Sequence, residues 1–479
     1  MMKLPLAMAL CGAAIFLMGA APQFDSKPWL EDLDQSRAAF TDKYANFDWA
    51  VFEREVDLPK LFDEAKDRLA AARNDGEAKA TFDRLARQLG DGHVEFQWPS
   101  VPTVGGRDSA SFNPCADLGY DARKLGRPLA SHMQGYNPIP GASQEFPAGL
   151  IALSHTKIGV IKIGLFSPEG SSFLCEGAFQ ALKISPTESC DDACSNKVED
   201  WASRKMTKDF EATLLKLHAA GATTLLIDIT QNGGGSEWTE AAARMVTSLP
   251  LTSERLGFVR GAHWVKKWND LTAELRQAAP AAPELDRVQI MELAREAEAK
   301  ARTAETACSS EPFWKNERPA CQWLGDGAYA TGLMGYAKAD DIRRKPWTSL
   351  VFSPAKYPYK DGVWRGPLIV VVDGDTWSAA EEFAAVLQDN HAAIVIGAPT
   401  GGAGCGHTDG GTPTTLVHSR GVLKLPDCAR LRANGDNEAT GVQPELLIGL
   451  RRHDGVDRQA RFLKDKLPEA VRLAAALKR

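Results

Sequence analysis

The chain predicts an α/β fold preceded by a helical N-terminal domain, and three observations carry that expectation. Short apolar runs rich in β-branched residues recur at 158–163, 223–229, 368–372 and 393–396, the pattern of buried strands. Helical spacing lies between them, at Phe210, Leu214 and Leu217, at Ala241, Met245 and Val246, and at Phe383 and Leu387. Strands alternating with helices define the α/β class. From residue 22 to 89 helical periodicity prevails instead. Leu61, Ala65 and Leu69 share one stripe, and Phe82, Leu85, Ala86 and Leu89 another.

At 479 residues the chain has room for two or three domains. A net charge of −6 without a basic block gives nucleic acid nothing to bind. Lys3, an apolar run over residues 4–18, and Gly19, Ala20 and Ala21 make the pattern of a removable signal peptide over residues 1–21. That run is short for a membrane span, and no other stretch reaches spanning length. The expectation is an exported protein, periplasmic or secreted. Without Cys11 in the signal, Cys115, Cys175, Cys190, Cys194, Cys308, Cys321, Cys405 and Cys428 remain. An even count in an exported chain points to disulfides. The local pairs Cys308–Cys321 and Cys405–Cys428 are expected, while Cys190 and Cys194 either close a small loop or one of them joins Cys175. Cys405, Gly406 and His407 lack a second ligand pair for zinc.

Taken in order, residues 22–96 read as the helical domain, ending in a loop of Gly90, Asp91, Gly92 and His93. Residues 97–150, rich in Pro, Gly and Ser, read as an irregular insertion. Residues 151–450 form the core, interrupted by an insertion at about 255–345 that packs on it, and residues 451–479 end in an amphipathic helix. Within the core, the strand at 223–229 runs into Asn232, Gly233, Gly234, Gly235 and Ser236. Neither a Gly-Lys-Ser/Thr ending nor G-x-G-x-x-G spacing is present, so a phosphate loop is excluded. An oxyanion hole or a tight strand–helix turn remains. The strand at 368–372 runs through Asp373, Gly374 and Asp375 to Ser378, where a helix begins. Ser378 is either a helix cap or an exposed nucleophile beside free N–H groups. His93 either serves a helix C-terminus or presents a functional imidazole on a Gly-bounded loop.

Four motifs in order then matter together: the Gly-Asp-Gly-His loop, Asn232 with its three glycines, Ser378-Ala379-Ala380-Glu381 with Gln388-Asp389-Asn390, and Glu438 before Gly441, Val442 and Pro444. Together they resemble the serine peptidases that include the tricorn core protease, the C-terminal processing proteases and the interphotoreceptor retinoid-binding protein. The resemblance spans about residues 35–450, with 97–150 and 255–345 unmatched. It implies a crotonase- or Clp-like β–α superhelical core. The Gly-Leu-x-x-Gly-Asp signature of a PDZ domain is absent. The Ser–Lys dyad of the processing proteases is excluded, because Ala403 stands where that Lys would fall and no Lys lies between Ser378 and Lys424.

The tricorn-like branch fits instead. It implies Ser378 as nucleophile, His93 as base and Glu438 as the carboxylate that fixes the imidazole tautomer. Gly234, Gly235 and Ala379 would supply the oxyanion N–H groups. His407, in the Gly-rich loop, is the competing base, and Asp389 is read as a loop-ordering residue. The expected activity is an endopeptidase acting on peptides or unfolded protein, with no metal or organic cofactor. A binding or scaffold protein on the same fold, and an esterase or amidase with the same triad, are the alternatives.

Overall fold

The computed structural model describes residues 24–99, 113–120, 125–153, 156–185, 189–407, 413–451 and 453–477, and the expected signal segment 1–21 lies outside them. Burial follows the apolar runs. Every residue of Thr224–Asp228, Leu368–Val372 and Ile394–Gly397 is buried, as expected of strands covered on both faces. They form the middle of a seven-stranded sheet with the spatial order 446–447, 394–397, 368–372, 224–228, 156–162, 148–153 and 136–138. The first five strands run parallel, and the last two add antiparallel pairs.

Side chains alternate along these strands and so feed two cores. Leu225, Ile227, Val370 and Val372 pack with Phe210, Trp238 and Phe383, from the helices Asp192–Ala219, Trp238–Met245 and Ala379–Asp389. Leu226, Ile369, Val371 and Ile396 pack with Leu463 and Leu467 of the C-terminal helix Val456–Ala476.

Two segments differ from the sequence expectation. The stretch expected to be irregular, 97–150, holds the edge strand Tyr136–Pro138 and the start of Ala148–Leu153. The first is too short, and too close to Gly135 and Pro138, for a period-two pattern to show. The insertion at 255–345 does more than pack on the core. Its strands Arg255–Val259 and Leu324–Tyr329 form a second sheet with Cys428–Leu431, in which Arg255–Val259 is the central strand. Its aromatic residues complete the core of the N-terminal helices: Phe313 stacks on Phe47 at 4.9 Å and Trp314 meets Phe62 edge-on at 5.0 Å. The helices leading to His93 are therefore held by this second body and by the strand 428–431.

Four disulfides join Cys115–Cys175, Cys190–Cys194, Cys308–Cys321 and Cys405–Cys428. Both expected local pairs form, Cys190 closes the small loop with Cys194, and Cys175 takes Cys115.

Candidate active site

The site lies where loops leave the carboxyl ends of the adjacent parallel strands 224–228 and 368–372, a crevice that open parallel sheets use for ligands. After Val372 the chain turns through Asp373, whose Oδ1 accepts the N–H groups of Gln231 at 2.9 Å and Asp375 at 3.1 Å. Trp377 N–H donates to the Asn232 carbonyl at 2.9 Å. The two loops are thus stitched together just before Ser378. Ser378 then takes φ 55° and ψ −120°, a conformation costly for a residue with a Cβ.

Glycine is required beside it. A Cβ on Gly234, which sits at φ 106°, would lie 2.8 Å from the Ser378 Cβ and 3.0 Å from the Ala379 nitrogen. Gly92 meets the same kind of limit, since a Cβ there would lie 2.4 Å from the Trp377 ring.

His93 arrives from the far end of the chain. The helix Asp75–Leu89 stops at Gly90, a left-handed cap at φ 78°. Buried Asp91 then shapes the loop. Its carboxylate accepts from the Tyr44 hydroxyl at 3.0 Å, the Asn46 amide at 2.9 Å and the His93 N–H at 3.0 Å. Burial pushes the Asp91 carboxyl up, while Asn46 and His93 pull it back.

The imidazole so placed has Nε2 3.2 Å from Ser378 Oγ and Nδ1 2.7 Å from the Ala403 carbonyl. A carbonyl only accepts, so Nδ1 carries the proton and Nε2 is left bare towards the serine hydroxyl. This is the tautomer a general base needs. His407 stands exposed at the end of the same loop; His93, not His407, is the imidazole at Ser378.

The Ala403 loop is fixed by Glu381, one turn into the serine helix and buried. Its carboxylate accepts from Gly402 N at 2.7 Å, Ala403 N at 2.8 Å, Thr400 Oγ1 at 2.6 Å and Ser378 N at 2.9 Å. Burial pushes its carboxyl up against the pull of those donors.

Two residues expected in the site have other hydrogen-bond partners here. Glu438 does not reach His93. It lies fully buried, hydrogen-bonded to the Arg430 guanidinium, and the imidazole position expected for it is taken by the Ala403 carbonyl. Burial pushes the Glu438 carboxyl up, with Arg430 opposing. Gly234 N–H is already committed to Asn232 Oδ1 at 2.9 Å. Ala379 N–H and Gly235 N–H carry no hydrogen bond among the described residues. Ala379 is the first helical N–H and has no intrahelical acceptor by geometry. Asp389 receives Arg432 at 2.6 Å and Ala433 N–H at 2.8 Å, which ties the end of the serine helix to the segment after residue 431.

Sequence reasoning missed Arg430 and the Ala403 carbonyl, and gave Glu381 no role. A signal for Glu381 was present, because Ser-x-x-Glu is the capping-box spacing. A backbone carbonyl has no residue identity to read, and Arg430 belongs to the site only through folding.

A strained serine at a strand–helix corner, a bare imidazole nitrogen and unpaired N–H groups are the parts that serine hydrolase chemistry calls for, here on an α/β sheet. The profile of peptidase family S41 matches residues 193–448, and the chain belongs to that family. It is a serine peptidase. The matched region contains Ser378, Gly234 and Glu438 but not His93, whose placement stands on geometry. No curated protein matches the chain. Among solved structures, mature CPAF superposes with a TM-score of 0.59 at 14% identity, covering 94% of this chain and 98% of that one. Mature CPAF complexed with lactacystin gives 0.56 at 14%, covering 94% and 99%. At such identity the likeness concerns the fold.

Proposed function

We propose that the chain is an exported endopeptidase in which Ser378 is the nucleophile and His93 its general base. The observation that carries this reading is the 3.2 Å approach of His93 Nε2 to Ser378 Oγ across 285 residues of sequence. As Ser378 Oγ attacks the peptide carbonyl carbon, its proton passes to His93 Nε2. The resulting imidazolium is steadied by its Nδ1–H bond to the Ala403 carbonyl and by the nearby Asp91 carboxylate. The tetrahedral oxyanion takes Ala379 N–H and Gly235 N–H. Collapse sends the proton from Nε2 to the departing amine, and water repeats the cycle on the acyl-enzyme. A cleft of about 440 Å³ lined by Gly233, Leu129, Leu165, Val456 and Arg127 opens beside the glycine loop, and it is our candidate for a substrate side-chain pocket. Export is supported by the signal-like N-terminus and the disulfides. No described helix is long and apolar enough to cross a membrane.

Labelling of the mature chain with a fluorophosphonate, with the adduct located by mass spectrometry, tests the pair. The expected result is an adduct on Ser378 that His93→Ala abolishes and His407→Ala leaves. Cleavage of labelled casein should fall about 10²–10⁴-fold in His93→Ala. Folded wild-type protein that takes no label, or one that loses it with His407→Ala alone, overturns the assignment.

A further inference from the structure

Arg430 lies on the strand Cys428–Leu431 and is 7% exposed. One terminal nitrogen, Nη2, donates to two backbone carbonyls: Ser378 at 3.0 Å and Gly404 at 2.9 Å. The other, Nη1, reaches Glu382 at 2.8 Å, and Nε is held by Glu438. The carbonyl of Ser378 belongs to the same peptide plane as Ala379 N–H, because a peptide bond is planar and trans. The carbonyl also accepts the helix N–H groups of Glu381 at 2.9 Å and Glu382 at 3.1 Å; Arg430 adds a charged donor that locks its direction and, by drawing charge onto the oxygen, strengthens the Ala379 N–H as a donor. Gly404 directly follows Ala403, whose carbonyl orients His93.

We propose that Arg430 is a positioning residue of the hydrolytic site. It aims the Ala379 N–H at the oxyanion and keeps the serine helix and the His93-orienting loop at one separation. Glu438 and Glu382 hold the guanidinium in place for that task. This rests on the reading of Ser378 and His93 as the reacting pair. Only a planar fork serves here. A lysine ammonium keeps the charge, but its single nitrogen cannot reach two carbonyls and two carboxyl groups together. Arg430 is buried behind the serine helix, so substrate affinity in the ground state should not depend on it.

The experiment compares wild type, Arg430→Lys and Glu438→Gln after folding is checked by circular dichroism. Arg430→Lys should lower kcat about 100-fold with KM unchanged, the effect of a mis-aimed oxyanion donor. A peptide aldehyde, whose adduct carries the oxyanion, should lose affinity by the same factor while the parent peptide does not. Glu438→Gln should lower kcat in the same direction without moving the imidazole titration in the kcat–pH profile. If that titration moves down, Glu438 acts on His93 itself and the proposal fails. Wild-type kcat and aldehyde affinity in Arg430→Lys also overturn it. Should Arg430→Lys not fold, Glu382→Gln replaces it: a fall in kcat at constant KM supports the proposal, and an unchanged kcat overturns it. Fluorophosphonate labelling of wild type on Ser378 separates the two levels. Without it the catalytic pair is wrong; with it, failure belongs to Arg430 alone.

Discussion

Glu381 shows how much one side chain controls here. Its two oxygens take four donors, from the serine itself and from the loop that orients the base. Glu381→Gln keeps the shape but turns an acceptor into a donor that faces N–H groups. Unsatisfied buried donors cost about 1–3 kcal/mol each, so urea unfolding should show a loss of at least about 2 kcal/mol. kcat should fall with it, because Ala403 loses its anchor. A variant as stable and active as wild type would show that the loop holds itself. At this scale the sequence was legible where a residue type stands out: Ser378 on its corner and His93 after Gly92, which the fold brings within 3.2 Å of each other. It was not legible where the backbone acts, as at Ala403. Nor could it decide between two buried partners, which is why Glu438 was expected on His93 and lies on Arg430.

Among elements, the decisive meeting is between the loop at 399–407 and the strand Cys428–Leu431. The Cys405–Cys428 bridge closes 23 residues between them, a loop for which chain entropy predicts about 3 kcal/mol of stabilisation. Replacing both cysteines by serine should lower the melting temperature and slow fluorophosphonate labelling of Ser378, since the bridge ends two residues from Ala403. An unchanged labelling rate would mean that Glu381 and Arg430 hold the loop alone. The main strands were readable because they are continuous apolar runs buried on both faces. The second sheet was not, because Arg255–Val259, Leu324–Tyr329 and Cys428–Leu431 are short, mixed and far apart in sequence.

The whole molecule places several carboxyls where water does not reach. Burial pushes Glu382 up to about 8, with Arg430 opposing, from an ordinary 4.5. Glu254 and Glu438 are pushed up for the same reason. A raised carboxyl means that the folded chain keeps a proton the unfolded chain has lost, so stability falls as pH rises from 4.5 through 8. His263, pushed down to about 4 by burial, has the opposite sign, but only below its ordinary 6.5. Between pH 6.5 and 8 the carboxyls act alone among these groups, and the melting temperature should drop across that window. A flat or rising calorimetric profile would show the cluster to be ionised throughout.

The second body also sets a timetable for the ribosome. His93 emerges early, Ser378 follows 285 residues later, and the strand bearing Arg430 comes later still. No nascent fragment ending before that strand contains both the pair and its brace. On the proposed pair and brace, a fragment cut before Cys428 should neither take a fluorophosphonate label nor cleave casein.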